Sequence, residues 1–351
     1  MKSPEDQRTI KCVVWDLDHT VWNGILSEDK CVFLKTGVAD VIKSLDESGI
    51  LQSIASKNDY DEALTWLRKF GLDEYFLYPQ INWNSKVASL EAIAAALNIS
   101  TEAMAFVDDQ RSERDEVSFS LPEVLCIDAR AADRLLDMPE ITPRFLTEDS
   151  RLRRQMYLTD IKRREIEESF TGSQHDFLAS LKMELTIAFA QEEDLKRAQE
   201  LTLRTHQLNT TGYTYSYDEL CKFLDSPRHR LLITELEDKY GTYGKIGLIL
   251  VECEKEEWNI KLLLMSCRVM SRGVGTVMLI HLMHMAKQAN VRLLAEFIPN
   301  DRNRMMYITY KFLNFVEIEV RANTIILEND LTRLRDFPSY MKINFLETEG
   351  R

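Results

Sequence analysis

Two groups of aspartates, each placed directly after an apolar run, are the residues best suited to chemistry. Asp16-Leu17-Asp18 follows Cys12-Val13-Val14-Trp15, and Asp108-Asp109 follows Ala105-Phe106-Val107. Both runs are predicted to be buried strands of a parallel sheet, and ligands of such sheets bind beyond the carboxyl ends of the strands. Crowded carboxylates repel each other unless a cation lies between them, and Mg²⁺ prefers oxygen ligands. The sequence therefore predicts a Mg²⁺ site suited to phosphoryl transfer.

The spacing of Asp16, Asp18 and Thr20 resembles the first motif of the haloacid dehalogenase (HAD) superfamily. This resemblance implies that Asp16 is a nucleophile that forms an aspartyl-phosphate. It also implies that Asp18 is the general acid/base and that Thr20 orients the phosphate-binding loop.

The other motifs of that superfamily occur in the expected order. Ser56 ends an apolar run and would hydrogen-bond the transferring phosphoryl group. Lys86 would neutralise the nucleophile and the phosphoryl oxygens. Asp108 is the first candidate for a direct metal ligand. The full set of metal ligands implied by the resemblance is Asp16, Asp18, Asp108 and Asp109.

Composition limits the class of protein. A chain of 351 residues suggests about two domains, and 45% hydrophobic with 29% charged residues is typical of globular proteins. The net charge of −13 argues against nucleic-acid binding, and the sequence has no apolar run of about 18 residues that would span a membrane. Six scattered cysteines without a Cys-x-x-Cys pair favour a cytoplasmic protein and disfavour a zinc site.

Residues 10 to about 130 alternate between strand and helix patterns, which predicts an α/β fold with a doubly wound parallel sheet of the Rossmann-like type. The segment 22–37 is long enough for a small flap hairpin but too short for a cap domain. We therefore expect a capless HAD-type domain over 1–146. The predicted elements are helices 38–48, 59–70, 85–97 and 111–120, and strands 12–16, 50–55, 75–78, 104–108 and 124–127.

A charged helix over 147–170 is predicted to link this domain to the second half. Its basic residues either dock an acidic carrier protein or form a solvated face. These residues are Arg151, Arg153, Arg154, Lys162, Arg163 and Arg164.

The second half, 171–351, resembles the GNAT acyltransferase fold, an α/β domain in which a Gly-rich turn opens a helix. The turn here is 271–275, before a predicted helix over 274–289. Helix N-termini attract phosphate, so the resemblance implies binding of a phosphopantetheine arm or its carrier. Met270 stands where that fold has Arg or Gln. This departure leaves two interpretations open: an arm with one phosphate in place of coenzyme A, or a plain turn that caps a surface helix. The implied binding residues are Arg268, Arg272, Gly273 and Gly275.

The two halves together resemble the FkbH-like proteins, mainly through the stretches 11–22, 106–114, 205–211 and 266–273. That resemblance implies a glyceryl transferase/phosphatase of polyketide biosynthesis. Such an enzyme takes a D-glyceryl group from 1,3-bisphosphoglycerate, removes phosphate and loads the phosphopantetheine thiol of an acyl carrier protein. The alternative is a Mg²⁺-dependent HAD phosphatase acting on a protein-bound or small phosphoester, with the GNAT-like half used only for recognition.

A covalent glyceryl-enzyme intermediate would need a cysteine. Cys267 is predicted to end a strand beside the Gly-rich turn, where Arg268 and the helix N-terminus would favour its thiolate. Cys12 is the competing candidate, although its place within a buried strand favours a structural role. His206, on a polar loop, could act as a base near the thiol or could be a surface residue. Both cysteines remain candidates at this point.

Overall fold

The protein is described from a computed structural model, which covers residues 9–29, 31–143 and 145–346. The chain divides into two compact units, unit 1 (Met1–Leu158) and unit 2 (Thr159–Arg351). Within the described ranges, no helix combines the length and the apolar character that crossing a membrane would need.

Unit 1 alternates strands with helices, as predicted. Its strands are β1 (Cys12–Trp15), β2 (Trp22–Asn23), β3 (Phe33–Leu34), β4 (Leu51–Ser56), β5 (Gln80–Ile81), β6 (Met104–Asp108) and β7 (Leu125–Asp128). Its helices are α1 (Val38–Glu47), α2 (Tyr60–Phe70), α3 (Lys86–Leu97), α4 (Arg111–Ser120), α5 (Glu148–Arg151) and the first part of α6 (Arg153–Ser169).

Five parallel strands form the sheet of unit 1, in the order β5-β4-β1-β6-β7. Val13 and Trp15 pack in a core cluster with residues of α1 and α2 on one face. Helices α3 and α4 contact each other and the strands β4 and β6, on the opposite face. The sequence-based prediction of a doubly wound parallel sheet is confirmed.

Local sequence signals set the helix ends of this unit. Asp59 caps α2 by accepting from Glu62 N, and Gly71 ends that helix in the left-handed conformation. Ser85 caps α3 by accepting from Ala88 N, which makes Lys86 the first helical residue.

The strand predicted over 75–78 is wrong: β5 forms later, at the loop before α3, because its pairing with the end of β4 decides its position.

The segment between β1 and α1 is a small hairpin. Strands β2 and β3 pair antiparallel, with Trp22 opposite Leu34 and Asn23 opposite Phe33. No further strand or helix forms between Thr20 and α1 within the described residues of that segment. The expectation of a capless domain with a flap hairpin is confirmed.

The predicted charged helix is interrupted at Leu152, which separates α5 from α6. Within unit 1, Arg153 donates to Gly49 O at 2.8 Å and Arg154 donates to Asp46 at 2.9 Å. Within unit 2, the buried Arg163 makes two hydrogen bonds to Asp238. These three arginines belong neither to a solvated face nor to a docking surface, so both interpretations of the basic run are wrong for them.

Unit 2 contains a mixed sheet with helices on both faces. Its strands are β8 (Met183–Phe189), β9 (His229–Asp238), β10 (Gly241–Cys253), β11 (Glu257–Met265), β12 (Arg292–Phe297), β13 (Val316–Arg321), β14 (Thr324–Asn329) and β15 (Met341–Leu346). Its helices, after the end of α6, are α7 (Gln174–Ser180), α8 (Leu195–Arg204), α9 (Tyr217–Asp225), α10 (Val274–Ala289) and α11 (Arg304–Phe312).

The eight strands of this sheet run in the order β13-β14-β12-β11-β10-β9-β8-β15. Strand β12 runs parallel to β11 and β15 runs parallel to β8, while the other neighbouring pairs are antiparallel. Residues of α10 pack in the larger core cluster, and residues of α8 and α9 pack in a second cluster. The prediction of a second α/β domain is confirmed.

Candidate active site

Asp16 lies at the carboxyl edge of the parallel sheet of unit 1. It follows β1 directly, and its N–H donates to Val107 O of the neighbouring strand β6 at 2.9 Å. Asp108 ends β6, one residue beyond the pair formed by Trp15 and Val107. The two central strands therefore bring the predicted aspartates to one place, because both end at the same level of the sheet.

Three carboxylates form a compact group at this edge. One oxygen each from Asp16, Asp108 and Asp109 lies within 4.8 Å of the others. Asp108 Oδ2 and Asp109 Oδ1 are both buried. Among the described residues, Asp109 Oδ1 accepts no hydrogen bond, and Asp108 Oδ2 has an ion pair with Lys86 but no hydrogen bond. Buried carboxylate oxygens without donors are costly unless a cation binds them. The donor set fits a hard divalent cation such as Mg²⁺.

Lys86 supplies a positive charge inside this group. Its Nζ lies 2.5 Å from Asp16 Oδ1 and 3.2 Å from Asp108 Oδ2, and it donates to Ala55 O at 2.8 Å. Lys86 is only 3% exposed. One ammonium thus bridges two of the carboxylates that the sequence predicted to be close together.

Burial and charge set the ionisation of these groups. Burial raises the pKa of Asp16 to about 6, while the Lys86 ammonium opposes that rise and Asp108 adds to it. Burial also raises the pKa of Asp108 above its ordinary value. Burial alone would lower the pKa of Lys86, but the two carboxylates outweigh this and raise it. Lys86 therefore stays charged, which favours an ionised Asp16.

Ser56 and Thr20 complete the predicted set. Ser56 Oγ donates to Asp16 Oδ1 at 3.0 Å, so this oxygen accepts from both Ser56 and Lys86. Asp16 Oδ2 is the oxygen that remains for reaction. Thr20 Oγ1 accepts from Asp109 N at 3.1 Å, which ties the loop after β1 to the loop after β6.

Asp18 lies beside the carboxylate group but does not belong to it. Its Oδ1 accepts from Trp22 Nε1 at 2.7 Å and from Leu26 N at 3.1 Å, and its Oδ2 accepts from Asn58 Nδ2 at 3.1 Å. The geometry does not support the prediction that the Asp18 side chain is a metal ligand, because its oxygens are engaged by these donors and lie outside the three-carboxylate group.

Asn58 is a site residue that the sequence reasoning missed. It is 2% exposed, and its Nδ2 also donates to Ser56 Oγ at 3.1 Å. The available signal was its position two residues after Ser56, just beyond the carboxyl end of β4, where polar side chains of a parallel sheet converge.

In unit 2, Cys267 does not end a strand as predicted. Strand β11 stops at Met265, and Cys267 is the first residue of a short 3-10 helix, Cys267–Arg272, in which it is partly buried. Cys12 is fully buried in β1, and burial raises the pKa of its thiol far above the ordinary value. His206 is exposed on the loop after α8.

The arginines of the Gly-rich turn make contacts inside unit 2. Arg268 donates to Tyr243 O at 2.7 Å, and Arg272 forms an ion pair with Glu167 at 3.0 Å. Neither guanidinium points freely into solvent, since both side chains are about nine-tenths buried, with 11% and 8% exposed.

The two glycines of the turn have packing roles. Gly273 has φ 78°, and a Cβ there would lie 2.2 Å from the Tyr340 hydroxyl. A Cβ on Gly275 would lie 2.2 Å from Met265 Cε. The left-handed conformation and the contact with Tyr340 account for Gly273 without a ligand, and Gly275 allows Met265 to pack closely.

A segment of the chain fills the gap where β11 and β12 separate. Their parallel pairing ends at Ile260 and Ala295. Beyond this point Thr210 donates to Leu263 O at 3.1 Å, and its carbonyl accepts from Ile298 N at 3.0 Å. The segment 208–211 therefore satisfies backbone groups on both sides of the gap.

Comparisons with known proteins give partial likenesses. No family model and no curated protein matches the chain. Among solved structures, the N-terminal part of a Bacteroides fragilis protein, which contains a phosphatase domain and is complexed with Mg, is 24% identical with a TM-score of 0.29. The match covers 38% of this chain and spans 37% of that one.

Other matches are acetyltransferases. The ribosomal-protein-S18-alanine N-acetyltransferase of Escherichia coli is 18% identical over 41% of this chain and 92% of its own, with a TM-score of 0.34. The PaiA N-acetyltransferase of Thermoplasma acidophilum, in complex with coenzyme A, is 14% identical with a TM-score of 0.34. The match covers 41% of this chain and 97% of that one.

Removing the Lys86 ammonium from between the buried carboxylates of Asp16 and Asp108 should destabilise unit 1. We expect Lys86→Met to lower the free energy of unfolding by about 3–5 kcal/mol, because Asp16 and Asp108 lose their partner. The matched variant Arg111→Met removes a guanidinium that pairs with the exposed Asp115, and should change stability by less than about 0.5 kcal/mol. Chemical unfolding followed by circular dichroism in metal-free buffer measures both. Equal losses would contradict the role given to Lys86.

Proposed function

We propose that unit 1 is a Mg²⁺-dependent phosphohydrolase that works through an aspartyl-phosphate on Asp16. The observation that carries this proposal is the fixing of one Asp16 oxygen by Lys86 and Ser56 at 2.5 and 3.0 Å, beside the buried carboxylate oxygens Asp108 Oδ2 and Asp109 Oδ1. This arrangement leaves Asp16 Oδ2 as a nucleophile and places a cation and a hydroxyl where phosphoryl oxygens would bind.

In the first step, Asp16 Oδ2 attacks phosphorus and the bond from phosphorus to the leaving-group oxygen breaks. Asp18 gives a proton to the departing oxygen. Lys86 and Ser56 hold Asp16 in position and offset charge on the phosphoryl oxygens.

In the second step, water attacks the phosphorus of the aspartyl-phosphate. Asp18, now a carboxylate, takes the proton of that water, and the bond between phosphorus and Asp16 breaks. Phosphate leaves and both aspartates return to their starting states, so the cycle balances without another reactant.

Asp16, Asp108 and Asp109 are the residues that would hold Mg²⁺. When bound, the ion would supply positive charge to the phosphoryl oxygens, beyond the charge that Lys86 provides. Asp109 is held for this role by the hydrogen bond from its N–H to Thr20.

For the whole chain we propose transfer of a D-glyceryl group from 1,3-bisphosphoglycerate to the phosphopantetheine thiol of an acyl carrier protein. The acyl phosphate is already activated, so a thiol and correct positioning suffice to form the thioester and release the first phosphate. Unit 1 then hydrolyses the remaining phosphate ester. The uncapped site supports this, because a hairpin leaves room for a substrate attached to a protein. This substrate chemistry requires neither a nucleic acid nor a membrane, and suits a cytoplasmic enzyme.

The second candidate is a phosphatase whose unit 2 only recognises its substrate. Two features of unit 2 favour it. Arg268 and Arg272 contact groups inside the unit, and the segment 208–211 occupies the gap between β11 and β12. Both features leave fewer groups that could bind a phosphopantetheine arm. The two candidates share the chemistry of Asp16 and differ only in whether an acyl group reaches a carrier.

The nucleophile is tested by Asp16→Asn. The amide cannot form an aspartyl-phosphate, so phosphate release should fall by more than about a thousandfold while circular dichroism stays unchanged. Asp40→Asn, at an exposed acid in the first turn of α1, is the matched control and should retain full activity. Near-normal turnover by Asp16→Asn would remove Asp16 from this role.

Metal dependence has two independent readouts. Exhaustive chelation should stop phosphate release, and added Mg²⁺ should restore it. Mg²⁺ at 100 times its dissociation constant should also stabilise the wild type by about 2.7 kcal/mol, measured by thermal unfolding. That stabilisation should disappear in Asp109→Asn and persist in Asp115→Asn, a control at an exposed residue. Full activity after chelation would contradict the proposal.

The acyl intermediate distinguishes the two candidates. Intact mass after incubation with 1,3-bisphosphoglycerate and a carrier protein should show a glyceryl adduct that Cys267→Ala eliminates together with carrier loading. Cys12→Ala should retain the adduct and lose about 1–2 kcal/mol of stability from a core cavity. Loss of the adduct in Cys12→Ala alone would reverse the assignment. Absence of any adduct and of carrier loading would favour the phosphatase.

A further inference from the structure

Both carboxylate oxygens of Asp18 accept hydrogen bonds from donors that have no other role in the proposed reaction. Two of them come from the flap: the indole N–H of Trp22, in β2, and the backbone N–H of Leu26. The third is the side-chain amide of Asn58, just beyond β4. A carboxylate only accepts hydrogen bonds, so these three contacts fix which way its two oxygens face.

The two oxygens of Asp18 are not equivalent. Each carboxylate oxygen has about two lone-pair positions for hydrogen bonds. Oδ1 accepts at 2.7 Å from Trp22 and at 3.1 Å from Leu26, which uses both positions. Oδ2 accepts only from Asn58, at 3.1 Å, among the residues that the structure describes. One position therefore stays open on Oδ2 alone.

Asn58 also connects the two catalytic aspartates. Its Nδ2 donates to Asp18 Oδ2 and to Ser56 Oγ, both at 3.1 Å, and Ser56 donates in turn to Asp16 Oδ1. Both amide protons of Asn58 are engaged in this way. Its side chain therefore fixes the orientation of the Asp18 carboxylate relative to that of Asp16.

We propose that Asp18 exchanges its proton through Oδ2, and that Trp22 and Asn58 are positioning residues that keep this oxygen facing the reacting phosphoryl group. This inference rests on the proposed function of unit 1 and specifies one of its steps. The proton moves from Oδ2 to the leaving-group oxygen in the first step and from water to Oδ2 in the second. Without the Trp22 donor, Oδ1 gains an open position and the carboxylate can turn.

Aryl phosphates separate proton donation from the rest of the reaction. Phenolate is a poor leaving group and needs a proton as it departs, whereas 4-nitrophenolate leaves readily without one. A residue that positions the acid therefore affects the two esters unequally. A residue that only stabilises the fold affects them equally.

The experiment compares the first-turnover release of phenol and 4-nitrophenol by the full chain with Mg²⁺. In Trp22→Phe, which keeps a buried ring but lacks the N–H, release from phenyl phosphate should fall about tenfold or more. Release from 4-nitrophenyl phosphate should stay within about threefold of wild type. Asn58→Ala should show the same unequal loss, and it carries the test if Trp22→Phe does not fold.

Trp66→Phe is the matched control. Trp22 and Trp66 both pack against Phe70, with ring centroids at 6.3 and 5.7 Å, but only the indole N–H of Trp22 reaches Asp18. The control should leave the ratio of the two rates unchanged.

Each outcome decides the assignment. A larger loss on phenyl phosphate in Trp22→Phe and Asn58→Ala, but not in Trp66→Phe, supports it. Equal losses on both esters would make Trp22 and Asn58 purely structural and overturn it, while the proposed function would stand if Asp16→Asn is inactive on the same esters. Failure of the wild type to hydrolyse either ester would overturn the aspartyl-phosphate chemistry and this assignment together.

Discussion

The buried contact of Lys86 with Asp16 and Asp108 is the interaction on which the site of unit 1 depends. Carboxylates that lie together at the end of a parallel sheet repel each other and lose hydration, so they need a fixed positive charge. The lysine supplies it from the first turn of α3, whose start is set by the Ser85 cap. The position of one helix end thus places the positive charge that favours an ionised Asp16.

The site is assembled from three separate strand exits, those of β1, β4 and β6. Asp16, Ser56 and Asp108 each follow or end a strand of the parallel sheet, and the register between strands fixes their spacing. Hydrogen bonds then lock the loops: Thr20 holds Asp109, and Asn58 holds Ser56 and Asp18. The strands thus determine where the polar side chains of the site meet, and the hydrogen bonds of Thr20 and Asn58 determine how these side chains are oriented.

The positions that the strands set could be predicted from the sequence, whereas the orientations that side-chain hydrogen bonds set could not. Residues at strand exits, such as Asp16 and Asp108, could be found because each follows an apolar run. Trp22 could not, since its role appears only when the flap folds back onto Asp18. Asn58 was missed, although its place just beyond β4 was an available signal. The pairing of β15 with β8 could not be predicted either, because it joins residues about 160 positions apart, with Met183 opposite Met341. Similarly, nothing in the sequence of the Gly-rich turn shows that its arginines bind inside the unit.

The flap hairpin, in place of a cap, has an evolutionary consequence. A cap domain would add residues that select the substrate, and each change of substrate would then alter the walls around the nucleophile. A hairpin of two-residue strands contributes little surface for such selection. Substitutions that change substrate choice would therefore act mainly elsewhere in the chain and leave the group around Asp16 unaltered. The protein is in this respect modular, with reactivity and selectivity free to diverge at different rates.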